Sequence, residues 1–381
     1  MTNLVALDVP GGPAFVEALE RIWQRGDAAW PVDPRLPDAE RARVTAALAP
    51  SSVLRLDHDG SLDETPLEGG VPLLDGDALV IPTSGTTGLP KGVIHTHDSV
   101  RASALATSTA LDVDPARDRW LACLPLAHVG GLSVVTRSLV TGTPLEVHDR
   151  FDPAAVVASL ERGTTLVSLV TRALAQVPVD AFRRVVIGGA APPPDRPANV
   201  IATYGMTETG SGVVYERRPI DGVSLRIATP DPAGHGELEV AGPMLLRAYR
   251  TLDDPAGRDP KVDGWFATGD LGTIDAEGVL QVFGRAGDVI VSGGEKVWPA
   301  RVEPLLDRHS KVGRAMIVGR PHPEWGHEVV ARVEPADPAD PPTLDELRDW
   351  VKADLPAWYA PRSLELVDAL PTTSLGKLRR G

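Results

Sequence analysis

Residues 77–92 read Asp77-Ala78-Leu79-Val80-Ile81-Pro82-Thr83-Ser84-Gly85-Thr86-Thr87-Gly88-Leu89-Pro90-Lys91-Gly92. The apolar run 78–81, bounded by Asp77 and Pro82, has the length and composition of a buried strand. Hydroxyl side chains, glycines and a single lysine follow it. Glycines let a backbone approach a phosphate and turn its N–H groups toward it. Hydroxyls add donors, and Lys91 adds a charge-assisted contact. No Gly-Lys-Ser/Thr ends the loop, so its spacing is not that of the Walker loop. The same composition also makes a plain turn, and the residues alone leave both readings open.

Outward from this loop the pattern alternates. Residues 12–50 read as helical and loop-rich, with Ala-rich periodic stretches at 13–24 and 38–48. Residues 99–109 and 131–140 read as helices, and 120–124, 166–170 and 184–187 as strands running into turns. The alternation predicts an α/β fold of layered sheets with parallel strands. From about residue 222 short strands with glycine turns, 236–240 and 279–283, predict a small β-rich subdomain. Beyond it the order strand 289–291, helix 299–308, strand 313–318, helix 343–354, strand 363–367 predicts a small, compact α+β domain. The expected division is a large N-terminal domain over 1–284 and a C-terminal domain over 289–381, with the boundary near Asp288.

The chain has 381 residues, which implies more than one domain. Hydrophobic residues at 43% and charged residues at 24% are those of an average globular protein. No apolar run approaches the roughly 20 residues of a membrane helix, and residues 1–10 lack the pattern of a secretory signal. A single cysteine, Cys123, excludes an internal disulfide and a cysteine zinc site, and fits a reducing cytoplasm. A net charge of -14 argues against nucleic acid as a partner, so an anionic ligand must be held by local donors. The sequence leaves self-association open.

The loop does not stand alone. Tyr204-Gly205-Met206-Thr207-Glu208-Thr209, Gly264-Trp265-Phe266-Ala267-Thr268-Gly269-Asp270, the segment from Gly284-Arg285 to Glu303, and Pro371-Thr372-Thr373-Ser374-Leu375-Gly376-Lys377-Leu378-Arg379 follow in order. With the loop they resemble the five signatures of the adenylate-forming superfamily of acyl-CoA synthetases, adenylation domains and luciferases. Leu124-Pro125-Leu126-Ala127-His128-Val129-Gly130-Gly131-Leu132-Ser133 and Ser292-Gly293-Gly294-Glu295-Lys296-Val297-Trp298-Pro299 are most similar to the o-succinylbenzoate–CoA ligases of menaquinone biosynthesis. In most relatives the phosphate loop begins later than residue 83. Pro82, Gly130 and Ala248 depart from the usual residues, without removing a catalytic group.

The resemblance implies a ligase that joins a small carboxylic acid to coenzyme A, with ATP and Mg²⁺, through an acyl-adenylate. Thr83, Ser84, Gly85, Thr86, Thr87, Gly88 and Lys91 would cradle the β- and γ-phosphates. Glu208 would hold the magnesium, and Thr207 would meet the α-phosphate beside Gly205. Tyr204 would stack on adenine, against the strip Gly188-Gly189-Ala190. Asp270 and Arg285 would bind the ribose. Lys377 would act at the carboxylate and the α-phosphate. His128 would sit beside the acyl carboxylate and gate the thiol. Ser133, Arg137 and Gly189 would line the acid pocket, with Arg137 or Ser133 on a spectator carboxylate. Asp288 would be the hinge. His95 and His97 have no metal-ligand company and read as part of a loop-to-helix junction. A ligase for another aryl or short- or medium-chain acid, a carrier-protein adenylation domain and a non-catalytic adenylate-binding protein are the other readings.

Overall fold

The computed structural model describes residues 1–84, 90–372 and 378, with the backbone alone at Ser84. Contacts group these into two units, Met1–Leu225 with Val240–Phe266, and Arg226–Glu239 with Ala267–Gly381.

The first unit is built on two seven-stranded sheets. It opens with β1 (Leu4–Asp8), α1 (Pro13–Gln24), β2 (Ala28–Pro31), α2 (Asp38–Leu48), β3 (Ser52–Leu56), β4 (Leu62–Pro66), β5 (Asp77–Ser84) and β6 (Pro90–Thr96). In α1, Pro13 starts the helix, and Phe15, Ala18, Leu19 and Ile22 form one buried face at helical spacing. The edge strand β16 (Ala248–Arg250) completes a sheet in the order β16-β6-β5-β2-β1-β3-β4. Here β2, β1 and β3 run parallel, while β4, β6 and β16 pair antiparallel.

The second sheet follows through α3 (His97–Ala110), β7 (Trp120–Ala122), α4 (Val129–Thr141), β8 (Leu145–Val147), α5 (Pro153–Glu161), β9 (Leu166–Val170), β10 (Arg184–Gly188), β11 (Val200–Gly205), β12 (Gly212–Tyr215) and β13 (Arg218–Pro219). Its order is β13-β12-β11-β10-β9-β7-β8, parallel from β8 to β11 and antiparallel beyond. Reciprocal bonds between Thr96 and Ser99 cap α3, and Gly142 in the left-handed region ends α4.

The second unit contains a four-stranded sheet of β14 (Ser224–Ala228), β15 (Gly236–Ala241), β17 (Phe266–Ile274) and β18 (Leu280–Arg285). A five-stranded sheet follows, from β19 (Ile290–Ser292), β20 (Glu295–Val297), β21 (Val312–His322), β22 (Gly326–Pro335) and β23 (Ser363–Leu366). α6 (Pro299–Leu306) and α7 (Leu344–Asp354) complete it. Phe283 of β18 packs in one core with Val297, Trp298, Val302 and Val351.

The α/β class and the helices at 13–24, 38–48 and 131–140 are as the sequence predicts. Two expectations are corrected. Residues 12–50 also contain the buried strand β2, whose four residues are too few to show a period. The strands are not uniformly parallel, because the short loop after Ser84 can only return the chain antiparallel. Among the described residues no helix is long and apolar enough to cross a membrane.

Arg250 ties the edge of the first sheet to α2. It is fully buried and donates to the carbonyls of Leu48, Ala49 and Val71 at 2.7, 3.2 and 2.6 Å. The first two lie at the C-terminal end of α2, where carbonyls lack helical partners and a cation is favoured. Arg250→Met leaves all three without this donor. Urea unfolding should show a loss of about 3 kcal/mol; a loss below about 1 kcal/mol would mean that other donors replace it.

Candidate active site

The β5–β6 hairpin places Thr83 opposite Lys91 in register. Residues 85–89, and so Gly85, Thr86, Thr87 and Gly88, lie outside the described residues, as do the Ser84 side chain and Lys377. The Thr83 hydroxyl is buried and has no hydrogen-bond partner among the described residues. Buried hydroxyls are normally satisfied, so this one has an acceptor to gain.

The Lys91 ammonium lies 3.6 Å from Glu208 Oε1 and 3.6 Å from the centre of the Tyr249 ring. Tyr249 donates its hydroxyl to the same Oε1 at 2.7 Å. Lys91 comes from β6 and Tyr249 from β16, both of the first sheet. Glu208 belongs to the single turn Thr207–Thr209 after β11 of the second. A second bond joins the same parts: His95 Nε2 donates to the Thr207 carbonyl at 2.7 Å. A carbonyl can only accept, so the proton is on Nε2. Burial lowers the His95 pKa and keeps the ring neutral at pH 7. The backbone N–H of Leu246 donates to the Glu208 carbonyl at 2.8 Å. A cation, a carboxylate, a phenol and a fixed turn therefore stand at the root of the hydroxyl-rich loop.

Gly188 ends β10, parallel to β11 that carries Tyr204 and Gly205. Gly189 has φ of 82°, a left-handed conformation that suits glycine. A side chain at Gly205 would run into the carbonyl of Ser211 on the turn back into β12. Gly188, Gly189 and Ala190 thus leave the carboxyl edge of the parallel strands, where open α/β sheets bind ligands.

His128 precedes α4. Its Nε2 lies 3.2 Å from Asp33 Oδ2 and 3.0 Å from Arg35 Nη2. Arg137, on the same helix, is only 2% exposed. Its Nη2 donates to Ser211 Oγ at 3.1 Å, and its guanidinium lies 4.8 Å from the centre of the Trp120 ring. Its Nε and Nη1 have no hydrogen-bond partner among the described residues. Burial pulls its pKa down from the ordinary arginine value. Ser133 is buried and lines a small cavity with Leu79, Ile81, His95 and Leu132. Gly188 and Gly189 are not among that cavity's walls.

In the second unit, Asp270 on β17 stands opposite Arg285 on β18, with Nε 3.1 Å from Oδ1. Arg285 also donates to the Thr268 carbonyl at 2.7 Å. Asp288 lies in the one-turn segment Ala286–Asp288 that follows. Among the described residues there is no group of three or more His, Cys, Asp or Glu side chains that could hold a metal ion by themselves. Glu208 fits a magnesium ion that takes most of its oxygens from a nucleotide and water.

Sequence reasoning missed Asp33, Arg35 and Tyr249, and assigned His95 only to a junction. Each acts over a long separation, and Asp33, Arg35 and Tyr249 lie outside the motifs. Only Tyr249 stood near a signal, beside the departure at Ala248.

A glycine- and hydroxyl-rich hairpin beside a paired lysine and glutamate, at the carboxyl edge of parallel strands, defines an enzyme that binds a nucleotide. The AMP-binding enzyme model matches residues 57–250, and the AMP-binding enzyme C-terminal domain model matches 301–377. The chain belongs to the AMP-binding enzyme family. A probable 2-succinylbenzoate–CoA ligase of Mycobacterium tuberculosis is 36% identical over 338 residues, 82% of this chain and 85% of the relative. A feruloyl-CoA synthase of an Amycolatopsis is 33% identical, over 98% of this chain and 86% of the relative. The o-succinylbenzoate CoA synthetase of Bacillus subtilis, solved with the acyl-adenylate OSB-AMP, is 28% identical, with a TM-score of 0.85 over 99% of this chain and 87% of that one. The same enzyme was solved with ATP and a magnesium ion.

Because Gly205 abuts Ser211, Gly205→Ala should push the Thr207–Thr209 turn away from His95 and Lys91. Calorimetric titration should find ATP binding weakened about 10-fold or more. Unchanged affinity would mean that the turn absorbs the methyl group.

Proposed function

We infer that the chain is an ATP-dependent, AMP-forming acid–CoA ligase whose acid is o-succinylbenzoate, a step toward menaquinone. The observation that carries the nucleotide reading is the meeting of Thr83, Lys91 and Glu208 at the root of the loop. The acid is supported by the 2-succinylbenzoate–CoA ligase relatives and by the buried Arg137.

The reaction runs in two halves. The acid's carboxylate oxygen attacks the α-phosphorus of ATP, and pyrophosphate leaves. The sulfur of coenzyme A then attacks the acyl carbon, and AMP leaves. The first half brings anions together, so it needs cations and fixed donors aimed at the phosphates. Thr83, the loop and Lys91 hold the terminal phosphates. Lys91, paired with Glu208 in the absence of ligand, turns its charge to the nucleotide. Glu208 would hold magnesium, which would supply positive charge against the charge that develops on the phosphates. Thr207, fixed by His95, presents its hydroxyl to the α-phosphate, and Tyr204 with the 188–190 strip receives adenine. Asp270 accepts from the ribose hydroxyls and Arg285 holds Asp270. Lys377 neutralises the carboxylate and the α-phosphate as they meet.

For the second half the C-terminal domain, 289–381, swings about Asp288 within the 285–288 hinge, relative to residues 1–284. Lys377 withdraws, and residues 291–297 line the thiol's path, which His128 gates. Such alternation lets one site serve two steps. A thiol near its ordinary pKa is partly ionised at neutral pH, so no dedicated base is required. o-Succinylbenzoate has two carboxylates, and the one that does not react pairs with Arg137 beside Ser133. The single buried thiol, Cys123, is in keeping with a cytoplasmic enzyme.

A second reading, a ligase for another aryl acid, is favoured by the feruloyl-CoA synthases that match nearly the whole chain. Pyrophosphate release with o-succinylbenzoate, ferulate, benzoate, acetate and a medium-chain fatty acid separates the two. o-Succinylbenzoate should exceed the rest by at least about 100-fold in kcat/KM; a win by ferulate replaces the acid and leaves the reaction. Lys377→Ala should lower adenylation by about 100-fold or more, in line with the loss of a preorganised cation at the reacting phosphate. Arg137→Met should lower kcat/KM for o-succinylbenzoate by about 100-fold and spare benzoate, which has no second carboxylate. Equal losses on both acids would sink the spectator role.

A further inference from the structure

Asp33 lies two residues beyond β2, and His128 lies six beyond β7. The two sheets of the first unit therefore each send one residue to this point from the carboxyl end of a parallel strand. Asp33 is only 5% exposed. Arg35 grips it twice, Nε to Oδ1 at 2.8 Å and Nη2 to Oδ2 at 2.7 Å, and the Arg35 backbone N–H adds a third bond at 3.0 Å. Burial alone would raise this carboxyl's pKa, but the Arg35 hydrogen bonds and charge outweigh it and bring it down to about 2. The carboxylate is thus charged at every working pH, and its Oδ2 is shared between Arg35 and His128. Both Asp33 and Arg35 precede the 57–250 segment that matches the family model.

We propose that Asp33 and Arg35 are positioning residues that hold the His128 ring for the thiol-transfer half-reaction. The inference rests on the ligase reading above. Asp33 and Arg35 offer the same ring nitrogen opposite partners. A neutral ring with its proton on Nδ1 accepts at Nε2 from Arg35, 3.0 Å away. A ring with a proton on Nε2 donates to Asp33 Oδ2, 3.2 Å away. The ring is therefore held in one place in either state, which a single donor or acceptor cannot achieve. The bonds of this pair run to His128, whereas Thr207 and Glu208 are held by His95, Lys91 and Tyr249. Loosening the pair should disturb thiol entry and leave nucleotide chemistry nearly intact.

The test separates the two halves in the full-length protein. Acid-dependent exchange of labelled pyrophosphate into ATP reads the first, and single-turnover thioester formation from preformed acyl-adenylate reads the second. Asp33→Asn should keep exchange within about 3-fold of wild type and slow thioester formation about 10- to 100-fold, the range a misplaced group costs. Asp33→Glu should recover part of the loss. In the His128→Ala background Asp33→Asn should cost nothing further, because residues acting through one group are not additive. Should Asp33→Asn fail to fold, Arg35→Ala, whose side chain is 40% exposed, must show the same split. Equal losses in both halves, or a double variant that loses the product of the two single effects, overturns the inference. Thioester formation at the wild-type rate in both Asp33→Asn and Arg35→Ala, with pyrophosphate exchange intact, also overturns it. If wild type exchanges with no acid, the ligase reading falls, and this inference with it.

Discussion

The turn that carries Thr207 and Glu208 is the joint on which the first unit depends. It follows the fifth parallel strand of the second sheet, yet Thr207 and Glu208 take side-chain partners from the first. Glu208 Oε1 takes the Tyr249 hydroxyl at 2.7 Å and faces Lys91 at 3.6 Å, while His95 fixes the Thr207 carbonyl at 2.7 Å. Two apolar sheets could slide against each other at small cost, because burial is non-directional. Directional bonds to the Glu208 carboxylate and the Thr207 carbonyl fix their register. The residues that hold the sheets together are the same ones proposed to meet the nucleotide.

This double use sets the electrostatics. With a net charge of -14 the molecule as a whole repels an anion such as ATP. On the proposed reading the attraction is local, from Lys91 and from donors whose dipoles are fixed before the ligand arrives. Glu208 keeps Lys91 from straying toward other carboxylates, and the Tyr249 ring lends a second contact at 3.6 Å. A strong ion pair here would compete with the phosphates for the lysine. At 3.6 Å, with both side chains partly exposed, the pair is loose enough to yield.

Local chemistry made much of this legible in the sequence. Pro13 and the apolar spacing of Phe15, Leu19 and Ile22 mark a helix, and the run 78–81 marks a strand, since both signals lie within one helix or one strand of chain. Motif order suggested that Lys91 and Glu208 come together, as they do at 3.6 Å, where spacing along the chain could not. The tie between His95 and Thr207 spans 112 positions and that between Asp33 and His128 spans 95. No periodicity reaches so far, and a buried histidine or aspartate looks the same in sequence whether it positions a loop or caps a turn. The antiparallel return of β6 was hidden for a related reason. The loop's composition signals phosphate and says nothing about the direction of the chain that leaves it.

Two buried arginines show how the fold distinguishes structure from recognition. Arg250 spends its donors on three carbonyls around the end of α2, so one Nη1 alone lacks a hydrogen bond. Its pKa is lowered by burial to about 10, and the cation still belongs to the frame. Arg137 is as deeply buried, yet its one hydrogen bond goes to Ser211, and Nε and Nη1 lack partners among the described residues. The Trp120 ring offers its face, which eases the burial of a guanidinium without satisfying its N–H groups. These N–H groups have acceptors to gain, because a buried donor without one is costly. A helix that begins at His128 and holds Arg137 two and a half turns later is suited to an acid with two charges. The core leaves Arg137 N–H groups to offer, which is what the proposed second carboxylate would require.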